Sequence, residues 1–181
     1  MIRHPKSVDN MREHNRLVGQ IVLNWTLVEE LSKKTLSAYI SDDRNTGNFF
    51  THNISSSQMG KYFKELVKSE PANSAAVNYV KQSFATNRDN RNRITHDVHI
   101  PEAEWDGVKL ASKTTNHKSS VEFAPLSLDS LHRVVMDINN LKNALRAVYQ
   151  WKTNNGDSFL LDMLGELPPP IRINPKKSHQ K

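Results

Sequence analysis

The sequence predicts an all-α fold: a four- to five-helix up-down bundle with a small β-hairpin before the fourth helix. Three observations carry this expectation. Apolar residues recur at helical spacing along two long segments and two shorter ones. Serines, asparagines and prolines stand where those segments should begin or stop. Extended candidates are confined to two short stretches around one polar loop.

The first helix is expected over about residues 7–40, with Ser7 or Asp9 as its cap. Val18, Ile21, Val22, Trp25, Val28, Leu31 and Tyr39 form its apolar stripe, and Arg12, Glu13, Glu29, Lys33 and Lys34 its polar side. Gly19, Thr26 and Thr35 are positions where it can bend or divide. Residues 41–56 read as a loop, because Asp42, Asp43, Asn45, Gly47, Asn48 and Asn53 are turn formers. Ser55, Ser56 and Ser57 offer caps for a helix over residues 57–69, with Met59, Tyr62, Phe63, Leu66 and Val67 on one side and Pro71 as its stop.

A third helix is expected over residues 73–95, with Ala76, Val77, Val80 and Phe84 facing the core. Its character then changes: residues 86–93 are eight polar residues in a row, which are either solvated or line a polar site. Residues 108–111 and 121–124 are the strands of the hairpin. Ser127 caps a long helix over residues 128–152, with Leu131, Val134, Val135, Ile138, Leu141, Leu145, Val148, Tyr149 and Trp151 as apolar positions. A last short helix is expected over residues 158–164. The domain therefore covers residues 1–167, and Pro168-Pro169-Pro170 opens a basic, Pro-rich, disordered tail over 168–181.

Composition narrows the function classes. At 181 residues the chain suits one domain. With no cysteine, neither disulfides nor thiolate metal sites can form. No apolar run is long enough to cross a bilayer, and Met1 to Lys6 are followed by no signal-like segment, so a cytoplasmic protein with no membrane partner is expected. The net charge of +6 is concentrated at one end. Without Arg172, Lys176, Lys177 and Lys181, 21 basic residues face 19 acidic ones. Any affinity for nucleic acid must therefore come from a local patch.

Arg91-Asn92-Arg93-Ile94-Thr95-His96 is the candidate catalytic stretch. It brings a permanent cation, an amide and an imidazole within six residues. RNA cleavage needs those parts. The 2′-hydroxyl loses a proton as it attacks phosphorus, and the leaving oxygen gains one, which histidine can serve near neutral pH. Arginine can grip two phosphate oxygens and hold the charge of the phosphorane. Arg88 and Arg93, with Lys81, form a basic face beside the motif that either guides a phosphate backbone or is merely solvated. On a regular helix Asn92 and His96 share a face, whereas Arg91 and His96 lie about 140° apart. Either the helix distorts near Thr95, or a second copy completes the site.

Other groups invite less. His96-Asp97-Val98-His99 lacks a second ligand cluster at metal-site spacing, so neither a metal nor a cofactor is expected, and Asp97 reads as orienting His96 or capping a turn. His4, His14, His52, His117, His132 and His179 read as surface residues. Trp25, Phe84 and Trp151 read as core, and Trp105 as an exposed ring that either stacks on a base or covers the bundle.

With Arg91, Asn92 and His96 in view, the chain resembles the HEPN superfamily (higher eukaryotes and prokaryotes nucleotide-binding). Its members are helical bundles with an arginine, a polar residue, and a histidine four to six residues after the arginine. Trp25-Thr26-Leu27-Val28-Glu29 is similar to first helices of small bacterial members, and the resemblance covers about residues 8–152. It implies a homodimer with a shared cleft and metal-independent endoribonuclease activity on RNA. It also implies a place in a toxin–antitoxin or anti-phage defence system, with an antitoxin or other defence protein as partner. Some members are inactive, so a non-catalytic helical dimer or an RNA- or protein-binding module is the alternative. Members paired with nucleotidyltransferase antitoxins often carry a tyrosine two residues after the histidine. Val98 stands there instead.

Overall fold

The computed structural model describes residues 5–69, 74–101, 107–113, 121–154 and 167–173. Five helices, α1 (Pro5–Ile40), α2 (Arg44–Thr51), α3 (Ser56–Ser69), α4 (Ser74–His96) and α5 (Leu128–Thr153), carry the fold. A three-stranded antiparallel sheet of β1 (Val98–Pro101), β2 (Gly107–Lys113) and β3 (Val121–Ser127) lies between α4 and α5 in the chain. Cross-helix contacts set the directions. Lys33 on α1 reaches the carbonyl of His52, just past α2. Glu29 meets Ser56 at the start of α3. Trp25 packs against Phe84 of α4 with its ring tilted. Glu13 pairs with His132 near the start of α5, and Tyr39 lies under Lys152 near its end. With Gly47 of α2 against Ser37, Leu66 of α3 beside Leu36 and Tyr39, and His99 just past α4 against His14, α1, α3 and α5 point one way and α2 and α4 the other, so the described residues form an up-down bundle of five helices.

The 36 residues of α1 form one unbroken helix, about 54 Å long. Its start at Pro5 puts Ser7 and Asp9 inside the helix, so neither is its cap. Thr26 and Thr35 send their hydroxyls back to the carbonyls of Val22 and Leu31 without breaking it. The buried stripe runs through Leu17, Ile21, Trp25, Val28 and Leu36, while Val22 is 37% exposed. Buried Ser32 and Thr35 also belong to this stripe, and the Thr35 hydroxyl reaches the Leu145 carbonyl of α5 at 3.5 Å. An apolar count along the sequence misses such small polar positions, and so misplaces the stripe.

The loop expected over residues 41–56 contains α2 instead. Asp43 is its N-cap and accepts from the Thr46 N–H at 2.9 Å. The Thr46 hydroxyl hydrogen bond, with that N–H, holds the Asp43 carboxyl below its ordinary value. Gly47 lets α2 press on α1, since a Cβ there would lie 2.6 Å from the Ser37 carbonyl oxygen. Ser55 and Gln58 then cap α3 reciprocally: the Ser55 N–H donates to Gln58 Oε1 at 2.8 Å, and the Gln58 N–H to Ser55 Oγ at 3.3 Å. At α5, Ser127 Oγ accepts from the Ser130 N–H at 3.1 Å, as its sequence position suggested.

The hairpin is present and longer than expected, with Leu110 opposite Ala124 and Ala111 opposite Phe123. The sequence reading missed β1, which pairs His99 with Leu110. Pro101 and Pro125 sit on the two edge strands and the central strand has no proline, which suits a residue without an N–H. The expected helix over residues 158–164 and the Trp105 ring lie outside the described residues.

The chain does not end its packing at residue 167. Ile173 is buried at 6% exposure, so residues 168–173 belong to the bundle, and only 174–181 of the expected tail lie outside the described residues. Polar residues of α4 make this docking. Asn90 Nδ2 donates to the Ile171 carbonyl at 2.8 Å, and the Ile173 N–H donates to Asn90 Oδ1 at 3.1 Å. The Ile171 N–H donates to Asp137 of α5 at 2.9 Å. Burial pushes the Asp137 carboxyl up, and that N–H partly offsets the push. Part of the polar run in α4 is therefore neither solvated nor catalytic: Asn87 and Asn90 are buried amides, and Ile94 resumes the apolar face.

Candidate functional site

The last two turns of α4 place the candidate residues. Thr95 back-bonds to the Arg91 carbonyl at 2.9 Å, and the helix stays regular to His96. The distortion near Thr95 that would have brought Arg91 and His96 together does not occur. The two therefore leave the helix about 140° apart.

Arg91 turns into a cleft of about 390 Å³ between α1, the start of α3, and α4. Trp25, Glu29, Ser55, Ser56, Ser57, Arg88, Asp89 and Asn92 complete the lining. Glu29 accepts from the Trp25 indole N–H at 2.9 Å and from the Ser56 hydroxyl, so this carboxylate is held by α1 and α3. Arg88 is paired with Asp89 at 2.9 Å. Arg91 has no such carboxylate among the described residues. Its Nη1 donates to Asn92 Oδ1 at 3.0 Å, and its buried Nε meets no acceptor among them. A guanidinium with no carboxylate at salt-bridge distance among the described residues, in a cleft that Glu29 and Asp89 also line, can take a phosphate group there.

Asn92 lies at the cleft and is itself exposed. His96, one turn further, is exposed, outside the cleft lining, and makes no hydrogen bond among the described residues. Asn92 and His96 share a face, as their spacing of four requires. Arg93 is tied to Asp97 at 3.3 Å, so Asp97 orients an arginine and not His96. Of the two arginines expected to guide RNA, Arg88 borders the cleft and Arg93 faces elsewhere, and both are charge-paired.

The sequence reading did not assign Glu29 and Ser55 to Ser57 to the site. Trp25 and Glu29, four residues apart on one helical face, were the available signal, since a buried indole N–H needs an acceptor. His14 was expected at the surface but is buried and bonded to His99 at 2.9 Å. Among the described residues, no three His, Asp or Glu side chains gather as a metal site, and no helix is long and apolar enough to cross a membrane. No protein-family model matches the chain, and neither do curated proteins or solved structures.

Proposed function

We propose that this chain is a metal-independent endoribonuclease of the HEPN type, whose active site is assembled from two copies. The observation that carries the reading is the Arg91 guanidinium, open to a cleft and without a carboxylate partner among the described residues, five residues before an exposed His96 that makes no hydrogen bond among them. In one chain the two diverge. A two-fold dimer that sets the ends of two α4 helices side by side would let His96 of each copy reach a phosphate held by Arg91 of the other. His96 takes the proton from a 2′-hydroxyl, the 2′-oxygen bonds to phosphorus, and the bond to the 5′-oxygen breaks as that oxygen takes a proton from the His96 imidazolium or from water. Arg91 offsets the added negative charge of the phosphorane, and Asn92 orients Arg91 through their hydrogen bond. Arg88 lies where it can hold a neighbouring phosphate. A place in toxin–antitoxin or defence systems, with an inhibitory partner protein, accompanies this reading.

The same divergence favours a second reading, a non-catalytic dimeric module that binds RNA or protein through the cleft. Incubation of the purified protein with RNA in EDTA separates the two. Cleavage that persists in chelator and leaves 2′,3′-cyclic phosphate ends is the expected result. Intact RNA of every sequence tried, in protein shown to be dimeric and without an inhibitor, would favour the binding module.

A further inference from the structure

Two histidines that the proposed chemistry does not use tie the end of α4 to α1. His99 Nε2 lies 2.7 Å from the carbonyl oxygen of Ile94, and His99 Nδ1 lies 2.9 Å from His14 Nε2. The rings meet edge to face with centroids 5.1 Å apart. Proton positions follow from the partners. A carbonyl only accepts, so His99 carries its hydrogen on Nε2. Its Nδ1 is then a lone pair, and His14 must donate from Nε2. His14 Nδ1 is left as a buried lone pair with no partner among the described residues.

The Ile94 carbonyl belongs to the last turn of α4, where helical bonding leaves carbonyls to be satisfied from outside. Two residues later stands His96. We propose that His14 and His99 are positioning residues, a two-imidazole clamp that fixes the last turn of α4, and so the presentation of His96, and that lets go on taking up one proton. The proposal rests on the reading of His96 as the proton-transferring group.

An extra proton has only one place to appear. Whether His14 gains it directly or passes its Nε2 proton to His99, a new N–H arises at His14 Nδ1, buried and without an acceptor among the described residues. Burial of His14, which is 5% exposed, holds its pKa below the ordinary histidine value, and the nearby His99 adds to this. The unfolded chain therefore binds the proton at higher pH than the clamp does. The clamp's contribution is fully present above the ordinary value of 6.5 and is lost as pH falls through its own lower value. Neighbouring charges are already engaged. Glu13 on α1 is bonded to Arg16 and to His132 of α5, and Arg93 and Asp97 at the end of α4 are paired with each other.

The test uses the full-length chain labelled with ¹⁵N. Two-bond nitrogen–proton correlations at pH 7.5 are expected to show both rings protonated on Nε2. Hydrogen-exchange protection at Asp97, whose N–H donates to the Arg93 carbonyl at 3.0 Å, is read with intrinsic rates removed. It is expected to fall roughly tenfold between pH 7.5 and 5. His14→Gln keeps an N–H at the same distance along the side chain and cannot take up a proton, so its protection should stay level across that range. His99→Phe should be poorly protected at both ends. A His14 ring protonated on Nδ1 at pH 7.5, or a His14→Gln variant that loses protection in acid as the parent does, would overturn the clamp. Neither readout needs RNA cleavage, so an inactive protein would count against the nuclease alone. If cleavage is found, its rate should fall less steeply in acid for His14→Gln than for the parent.

Discussion

His96→Ala is expected to lower RNA cleavage by at least about 100-fold while leaving the fold unchanged. The magnitude follows from the role. General acid–base help contributes roughly 10²–10⁴-fold, and an alanine cannot supply it. The stability half follows from placement. The imidazole is exposed and makes no hydrogen bond among the described residues, so its removal should cost no more than about 0.5 kcal/mol. Arg91→Ala should fall by a similar factor, since a positioned charge donor is worth roughly 10²–10³-fold. Arg91→Lys should recover little of it, because an ammonium keeps the charge but loses the planar fork. Initial rates at fixed RNA concentration, read beside thermal melting curves, check both halves. A His96→Ala protein that melts normally and cleaves normally would remove His96 from the mechanism.

The largest expected effect on stability is at Phe84. Its ring is fully buried between Trp25 and Phe63, with centroids 5.3 and 5.7 Å away, and it joins α1, α3 and α4 where the cleft is built. Phe84→Ala removes the ring from the middle of this cluster and should cost about 3–5 kcal/mol. Urea unfolding of the two proteins measures it through the midpoint, with the slope unchanged. Because Trp25 also supports Glu29 beneath the cleft, loss of the cluster should weaken RNA binding before the chain unfolds. A cost below about 1 kcal/mol would mean that the cluster closes over the gap and is not the joint described here.

The parts of the fold legible in sequence are those set by neighbours a few residues away. Ser127 before its helix, Ser55 three residues before Gln58, and the apolar repeat of α5 all act over one or two turns, and the structure has them. What escaped depends on distant partners. Asn90 looks like a surface amide until Ile171 and Ile173, 81 and 83 residues later, supply its hydrogen bonds. His14 looks solvated until His99, 85 residues later, covers it. Asp43 and Gly47 look like turn residues, and they do act locally, one as a cap and the other as a close approach to Ser37. Their composition hid a helix of eight residues whose partner is α1. The candidate site shows the same division. The angle between Arg91 and His96 followed from helix geometry alone, whereas the cleft around Arg91 required α1 and α3 to arrive from elsewhere in the sequence.

The central claim is that Arg91 of one copy serves His96 of another, and complementation tests it most directly. Arg91→Ala and His96→Ala chains, each inactive alone, are mixed in equal amounts and allowed to exchange partners. Half of the dimers should then be mixed, each with one cleft that keeps both native residues, so the mixture should recover about one quarter of the activity of the parent protein. A mixture that has exchanged subunits and still cleaves no faster than its two components would contradict the shared site.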